Sequence, residues 1–151
     1  MKKIIALVAV AAMFAAFSIS TVGKKLPSVG YVLVGPKNDG GWSMRHYHGF
    51  MSLKKHGYNV SGVEMVPEAE STKVFRKLAR KHDIVFATSF GYMDGMVKAA
   101  EKTPDTIFMH ATGYKGNDSN MDNYVCHSFQ ARYLTGIAAG MLTKTNKIGV
   151  V

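Results

Sequence analysis

From Val29 onward, short β-branched and apolar runs alternate with segments whose apolar side chains recur every three to four positions, the two periods that mark strand and helix. Residues 29–35 (VGYVLVG) form the expected first strand. Trp42, Tyr47, Phe50, Met51 and Leu53 share one side of a helix over 42–56, which Gly57 stops. Residues 59–66 are a second strand, and Pro67 opens a turn into a helix running to Arg80, with Ser71 or Thr72 as cap and Val74, Phe75 and Leu78 inward. The unbroken apolar centre of 83–88 (DIVFAT) predicts a third strand buried on both faces, as in a parallel sheet. A helix over 93–102 follows, and Pro104 closes the connection to a fourth strand over 106–111. The pattern ends with a short fifth strand over 124–128 and a helix over 132–142, whose Gly136, Ala138, Ala139 and Gly140 suit close packing.

Repeated strand–helix–strand units with short connections predict a doubly wound α/β fold around a parallel sheet, with ligands at the carboxyl ends of the strands. Residues 147–151 (KIGVV) read as a buried strand with nothing after it. The expected organisation is therefore one lobe over 26–146, with 147–151 the first strand entering a second lobe that is missing here.

Residues 1–20 follow a different rule. Lys2 and Lys3 precede an apolar run over 4–17, and small residues stand at Ser18 and Ser20, which together predict a secretory signal cleaved after Ser20. The run is shorter than the roughly 18 residues that span a bilayer, and no cysteine follows it to carry a lipid. Export to the periplasm is the expected address. The net charge of +9 falls by two, to +7, without Lys2 and Lys3. The remaining basic residues, such as Lys54, Lys55, Arg76, Lys77, Arg80 and Lys81, are scattered over predicted outer helix faces, a distribution that argues for solubility and against nucleic acid. The single cysteine, Cys126, makes no internal disulfide and is expected to be a buried thiol beside Tyr124 and Val125.

Three strand ends carry residues suited to binding. After the first come Asp39, Gly40, Gly41 and Trp42, where a carboxylate beside an aromatic face can read a flat heterocycle; alternatively Asp39 caps the helix and Trp42 plugs the core. After the third come Ser89, Phe90, Tyr92 and Asp94 at a helix start, where Ser89 is either a ligand contact or a cap. After the fourth comes 110–115 (HATGYK), with Tyr114 a candidate further wall. A catalytic reading finds little support: Ser89 lacks the glycine two residues earlier that a nucleophile elbow needs. The six histidines show no metal-ligand spacing, so neither a metal nor another cofactor is expected.

The stretches VGPKNDGGWSMRHYHG (34–49), FATSFGYMDGMVKAA (86–100), FMHATGYK (108–115) and RYLTGIAAGMLTKTNKIGVV (132–151), in that order, resemble the basic membrane protein, or PnrA-like, family of ABC-transporter substrate-binding proteins. The resemblance implies the amino-terminal lobe of a type I periplasmic binding protein fold, closing with a second lobe on a purine nucleoside or base for delivery to a membrane permease. By that resemblance Asp39 is the acidic residue of the first binding loop and Trp42 its stacking aromatic. Ser89, Phe90, Tyr92 and Asp94 belong to the second loop, and Gly113 and Tyr114 to the third. Ser43 stands where much of the wider family has asparagine, and the Gly-Gly-Trp of the first loop points to the branch for which a free base such as adenine is the implied ligand. The implied function is binding without catalysis; the alternatives are an exported α/β nucleoside-processing hydrolase and a ligand-sensing ectodomain.

Overall fold

The computed structural model describes residues 25–149; the expected signal over 1–20 and the last two residues of the expected strand over 147–151 lie outside them. In chain order come β1 (Val29–Val32), α1 (Trp42–Lys55), β2 (Val60–Val63), α2 (Ser71–Ala79), β3 (Ile84–Ala87), α3 (Met93–Ala100), β4 (Ile107–Ala111), β5 (Met121–Tyr124) and α4 (Ser128–Leu142). The strands are all parallel, in the order β2-β1-β3-β4-β5, as the alternation of periods predicts. From β1 the chain steps outward to β2 and then returns past β1 to β3, so the topological switch lies between β1 and β3.

Two apolar clusters hold the layers together. On one face α2 and α3 bury Phe75, Leu78 and Met96 against Val32, Val85, Ala87, Phe108 and Met121. On the other, α1 packs Phe50 on Val29, Tyr31, Leu33 and Val60, and the Phe50 ring stacks on Tyr31 with centroids 4.5 Å apart. Alternate strand residues face opposite ways, so β1, covered on both faces, is buried along its whole length. Gly62 of β2 belongs to the same packing: a Cβ there would fall 2.4 Å from both the ring and the carbonyl of Tyr31.

Burial of β3 is one-sided, which corrects the expectation for 83–88. Val85 and Ala87 are buried, whereas Ile84 and Phe86 are half-buried because α1 covers β3 only in part, its Phe50 meeting Phe86 at 5.4 Å beside an open cavity. The fifth strand starts at Met121, three residues early, because an asparagine turn sets its beginning. Asn117 Oδ1 accepts from the amides of Ser119, Asn120 and Met121, while Asn120 Nδ2 donates to the carbonyls of Ala100, Thr103 and Thr106. With β5 ended at Tyr124, Cys126 falls in the following link and is exposed, contrary to the buried thiol expected. Helix α4 begins at Ser128, and Phe129, Tyr133, Leu134 and Met141 are exposed along it. Nothing lies within 4 Å of a Cβ built at Gly136 or Gly140, so the close packing expected of its small residues is not formed among the described residues. Lys147 to Gly149 carry no strand.

Two candidate site residues turn out to hold the fold. Asp39 caps α1: its Oδ1 accepts from the amides of Met44 (3.0 Å) and Gly41 (2.8 Å), and its Oδ2 from Ser43 (2.9 Å). Those amides, Met44 foremost, lower its carboxyl to about 2. Tyr92, expected in the second binding loop, is fully buried, edge-on to Phe75 at 5.7 Å. Its hydroxyl donates to the carbonyl of Val66 at 2.5 Å and, more loosely, to that of Leu33 at 3.4 Å, so it faces the core and cannot be a ligand wall.

Two stability predictions follow from these roles. Because the Asp39 carboxyl is depressed from its usual 3.8, its contribution is present above that value and lost as pH falls towards about 2. Thermal melts should therefore show Asp39→Ala a few degrees below the parent at pH 7, with the gap closing across that acid window; a gap that persists there contradicts the cap. Tyr92→Phe should cost about 1 kcal/mol in urea unfolding by leaving a buried carbonyl without its donor, and an unchanged midpoint would refute that bond.

Candidate ligand site

The carboxyl ends of the central strands form a row in which Val32, Ala87, His110 and Asn123 are successive register partners across β1, β3, β4 and β5. The chain leaves this row into the three loops singled out from the sequence. Backbone amides satisfy several of the strand-end carbonyls, as the Thr88 amide does that of Val32 and the Thr112 amide that of Tyr124, and a carbonyl without such a partner needs a side-chain donor.

Trp42, the first residue of α1, does this across the switch point: its indole Nε1–H donates to the Thr88 carbonyl. Thr88 is itself fastened to β1, its hydroxyl donating to the Val32 carbonyl at 3.0 Å. The indole packs on the His46 ring at 4.4 Å and stays 40% exposed. Of the two readings of Trp42, the core plug is therefore not the one realised: its edge is anchored and a face remains accessible. Ser43, next in α1, is buried and its Oγ accepts from the Gly35 amide at 3.1 Å, which makes it scaffold.

The second and third loops meet through their aromatic residues. Phe90 and Tyr114 are 57% and 73% exposed, with ring centroids 6.0 Å apart. Behind them Asp94 pairs with Lys115 at 2.5 Å. That hydrogen bond and the ammonium charge hold the Asp94 carboxyl below the usual carboxylate range and raise the Lys115 ammonium. Ser89 is half-buried and makes no side-chain capping bond; its carbonyl faces His110 Nε2 at 2.7 Å. Gly113 offers no side chain to a ligand: a Cβ would lie 2.0 Å from His110 Nδ1 and 2.2 Å from Asn123 Oδ1.

The eight expected residues thus divide. Trp42 and Ser89 stand on either side of Thr88, Phe90 and Tyr114 form an aromatic pair with Asp94 behind it, Asp39 and Gly113 shape backbone, and Tyr92 belongs to the core. Within the expected segment 110–115, three residues whose roles the sequence reading did not assign also contribute. Thr112 is held at φ 64°, a left-handed backbone that is costly for a β-branched residue, and this turns the third loop at the end of β4. His110 and Lys115 carry contacts between loops. For His110 the sequence offered its place in that segment and a polar residue inside an apolar strand, FMHA.

A cavity of about 700 Å³ begins at Trp42 and runs between α1 and the open sheet face, with Phe86 and Tyr124 on its floor. Burial raises the Tyr124 hydroxyl to about 12. Of the eight expected residues only Trp42 lines this cavity, so it adjoins the strand-end loops rather than being formed by them. Among the described residues no group of three or more His, Cys, Asp or Glu is placed to hold a metal.

Comparison with known proteins agrees with this architecture. A family model described as ABC transporter substrate-binding protein PnrA-like matches residues 26–151. A Haloferax volcanii protein provisionally named an ABC transporter glucose-binding protein is 37% identical over 124 residues, covering 80% of this chain and 32% of its own length. A Brucella abortus protein named as purine-binding is 36% identical over 128 residues, covering 82% of this chain and 36% of its own. The chain therefore spans about a third of the length of these curated relatives. The structure of an ABC transporter solute-binding protein from Conexibacter woesei superposes with a TM-score of 0.64 at 22% identity, over 76% of this chain and 40% of that one. With most of the described fold inside the matched range, the chain belongs to the PnrA-like family of ABC transporter substrate-binding proteins.

Proposed function

We propose that this chain supplies one wall of a purine-binding cleft in an extracytoplasmic substrate-binding protein of an ABC importer, and that it binds a free base or nucleoside by stacking and hydrogen bonds without chemistry. The observation that carries this reading is the anchored indole of Trp42. Its N–H is engaged by the Thr88 carbonyl, so what it offers a ligand is a fixed aromatic face at the switch point, where α/β sheets bind their ligands. Phe90 and Tyr114 add two exposed rings, and Ser89 stands beside the pair as the candidate hydroxyl contact.

The relatives' names point to two ligand classes, glucose and purine, and the polar groups here favour the second. A sugar needs many directed donors and acceptors, yet the Asp39 carboxylate is engaged by three amides and the Asp94 carboxylate by Lys115. Aromatic surface with few free polar groups suits a flat base. In this reading a second lobe closes on the ligand from the other side, with α4 and residues 147–151 leading into it, and a permease in the membrane receives the cargo. The exposed apolar residues of α4 support that placement, and the signal-like residues 1–20 support export.

Calorimetric titration with adenine, adenosine, guanosine, inosine and glucose tests the proposal. Saturable purine binding is expected, weakened about ten- to hundredfold in Trp42→Ala by loss of one base–aromatic stack. Binding of glucose alone, or purine binding indifferent to Trp42→Ala, would overturn it. Chromatography of the same mixtures separates binding from hydrolysis, since free base released from a nucleoside would favour the enzyme.

A further inference from the structure

His110 stands next to last in β4 and its side chain is wholly buried, in the layer that holds Val85, Ala87 and Phe108. An imidazole there carries a desolvation cost that apolar neighbours would avoid, so its contacts bear examination. Its Nε2 lies 2.7 Å from the Ser89 carbonyl, which can only accept, and the proton is therefore assigned to Nε2. Burial, the largest influence, pushes the imidazole below its usual range against the opposing pull of the Ser89 carbonyl and the Asn123 side chain, and the second ring nitrogen, Nδ1, lies on the Asn123 side. That Nδ1 and Asn123 Oδ1 are buried atoms without a partner among the described residues, and both occupy the space a side chain at Gly113 would need. Asn123, opposite His110 in the β4–β5 register, sends its Nδ2–H to the Lys115 carbonyl at 2.9 Å.

Another buried histidine shows what a purely structural role looks like. His82 is engaged at both nitrogens, with Nδ1 3.0 Å from the Leu78 carbonyl and Nε2 2.8 Å from Ser61 Oγ. His110 instead binds one loop through Nε2 and abuts the other through Nδ1. Ser89 is one peptide from Phe90, and Gly113 one peptide from Tyr114.

We infer that His110 is a positioning residue of the cleft: its ring ties the loop after β3 to the loop after β4 and so sets the spacing of Phe90 and Tyr114. This rests on reading the strand ends as the ligand site. Gly113 is glycine because the third loop must lie directly on the imidazole, and Asn123 fastens the far side of that loop at Lys115. Neither His110 nor Asn123 needs to touch the ligand.

The test uses the 151-residue chain and the variants His110→Leu, His110→Gln and Gly113→Ala, read by amide hydrogen exchange at Phe90 and Tyr114 and by calorimetric titration with adenine. His110→Leu should speed exchange in both loops and weaken adenine about tenfold, the effect of one lost hydrogen bond. His110→Gln, which keeps a donor towards Ser89, should restore most of both. Gly113→Ala should disturb the Phe90 amide across the ring, which decides the matter if His110→Leu does not fold. Exchange altered in one loop only, an unaltered Phe90 amide in Gly113→Ala, or parental adenine affinity in folded His110→Leu would overturn the inference. If the parent chain does not bind adenine, the purine reading fails; exchange then decides the positioning role by itself, upheld by changes in both loops and overturned by their absence.

Discussion

The cleft depends on one hydrogen bond, from the indole of Trp42 to the carbonyl of Thr88. A strand-end carbonyl at a topological switch has no ladder partner and must find a donor elsewhere. Supplying it from the first residue of α1 fixes the helix, the loop before it and the end of β3 relative to one another. The bond leaves the ring with its edge satisfied and part of its face exposed, the condition under which an aromatic side chain is rigid enough to stack a partner without losing further freedom. The position of Trp42 depends in turn on Asp39, whose three amide contacts start α1 where the indole can reach Thr88.

A common pattern runs through the polar residues of the three loops: most of them organise the protein before anything arrives. Asp39 is engaged by the backbone, Asp94 by Lys115, Ser43 by Gly35 and His110 by Ser89. A surface built this way presents rings and a few hydroxyl or backbone groups, and on the reading proposed above its specificity would come from where those groups are held. Thr112 fits the same logic, since its left-handed backbone persists only where surrounding contacts over-determine it, here the bond from its amide to the Tyr124 carbonyl at 2.8 Å.

Much of the architecture was legible because periodicity reports burial. β1 reads as a continuous apolar run and is covered on both faces; α2 shows Phe75 and Leu78 at helical spacing and buries them. The errors fell where local pattern and tertiary context part. The run in β3 looked fully buried, but α1 reaches it only through Phe50 on Phe86 and leaves that ring half-buried. The start of β5 was set by Asn117 and Asn120 bonding backbone, which no hydrophobic period records. In the cleft, residue type located Trp42, Phe90 and Tyr114 but could not tell an aromatic wall from a core aromatic. Tyr92 sits two residues from Phe90 and is buried where Phe90 is exposed, because the 3₁₀ turn they share sends their side chains to different sides.

The open surfaces are as informative as the buried ones. On the α1 side of the sheet Phe86 and Tyr124 are half-buried along the cavity, and α4 carries its large apolar residues into solvent. Helix α4 is apolar enough to need a partner and too short to cross a membrane. Exposed apolar area on this scale marks surfaces that meet other protein. The strand ends adjoin the cavity at Trp42, so on the reading proposed above ligand affinity would be governed by what closes over Trp42, Phe90 and Tyr114 as much as by the rings themselves. On that reading one wall would supply stacking and orientation, and excluding water from the far side of a flat ligand would take a second.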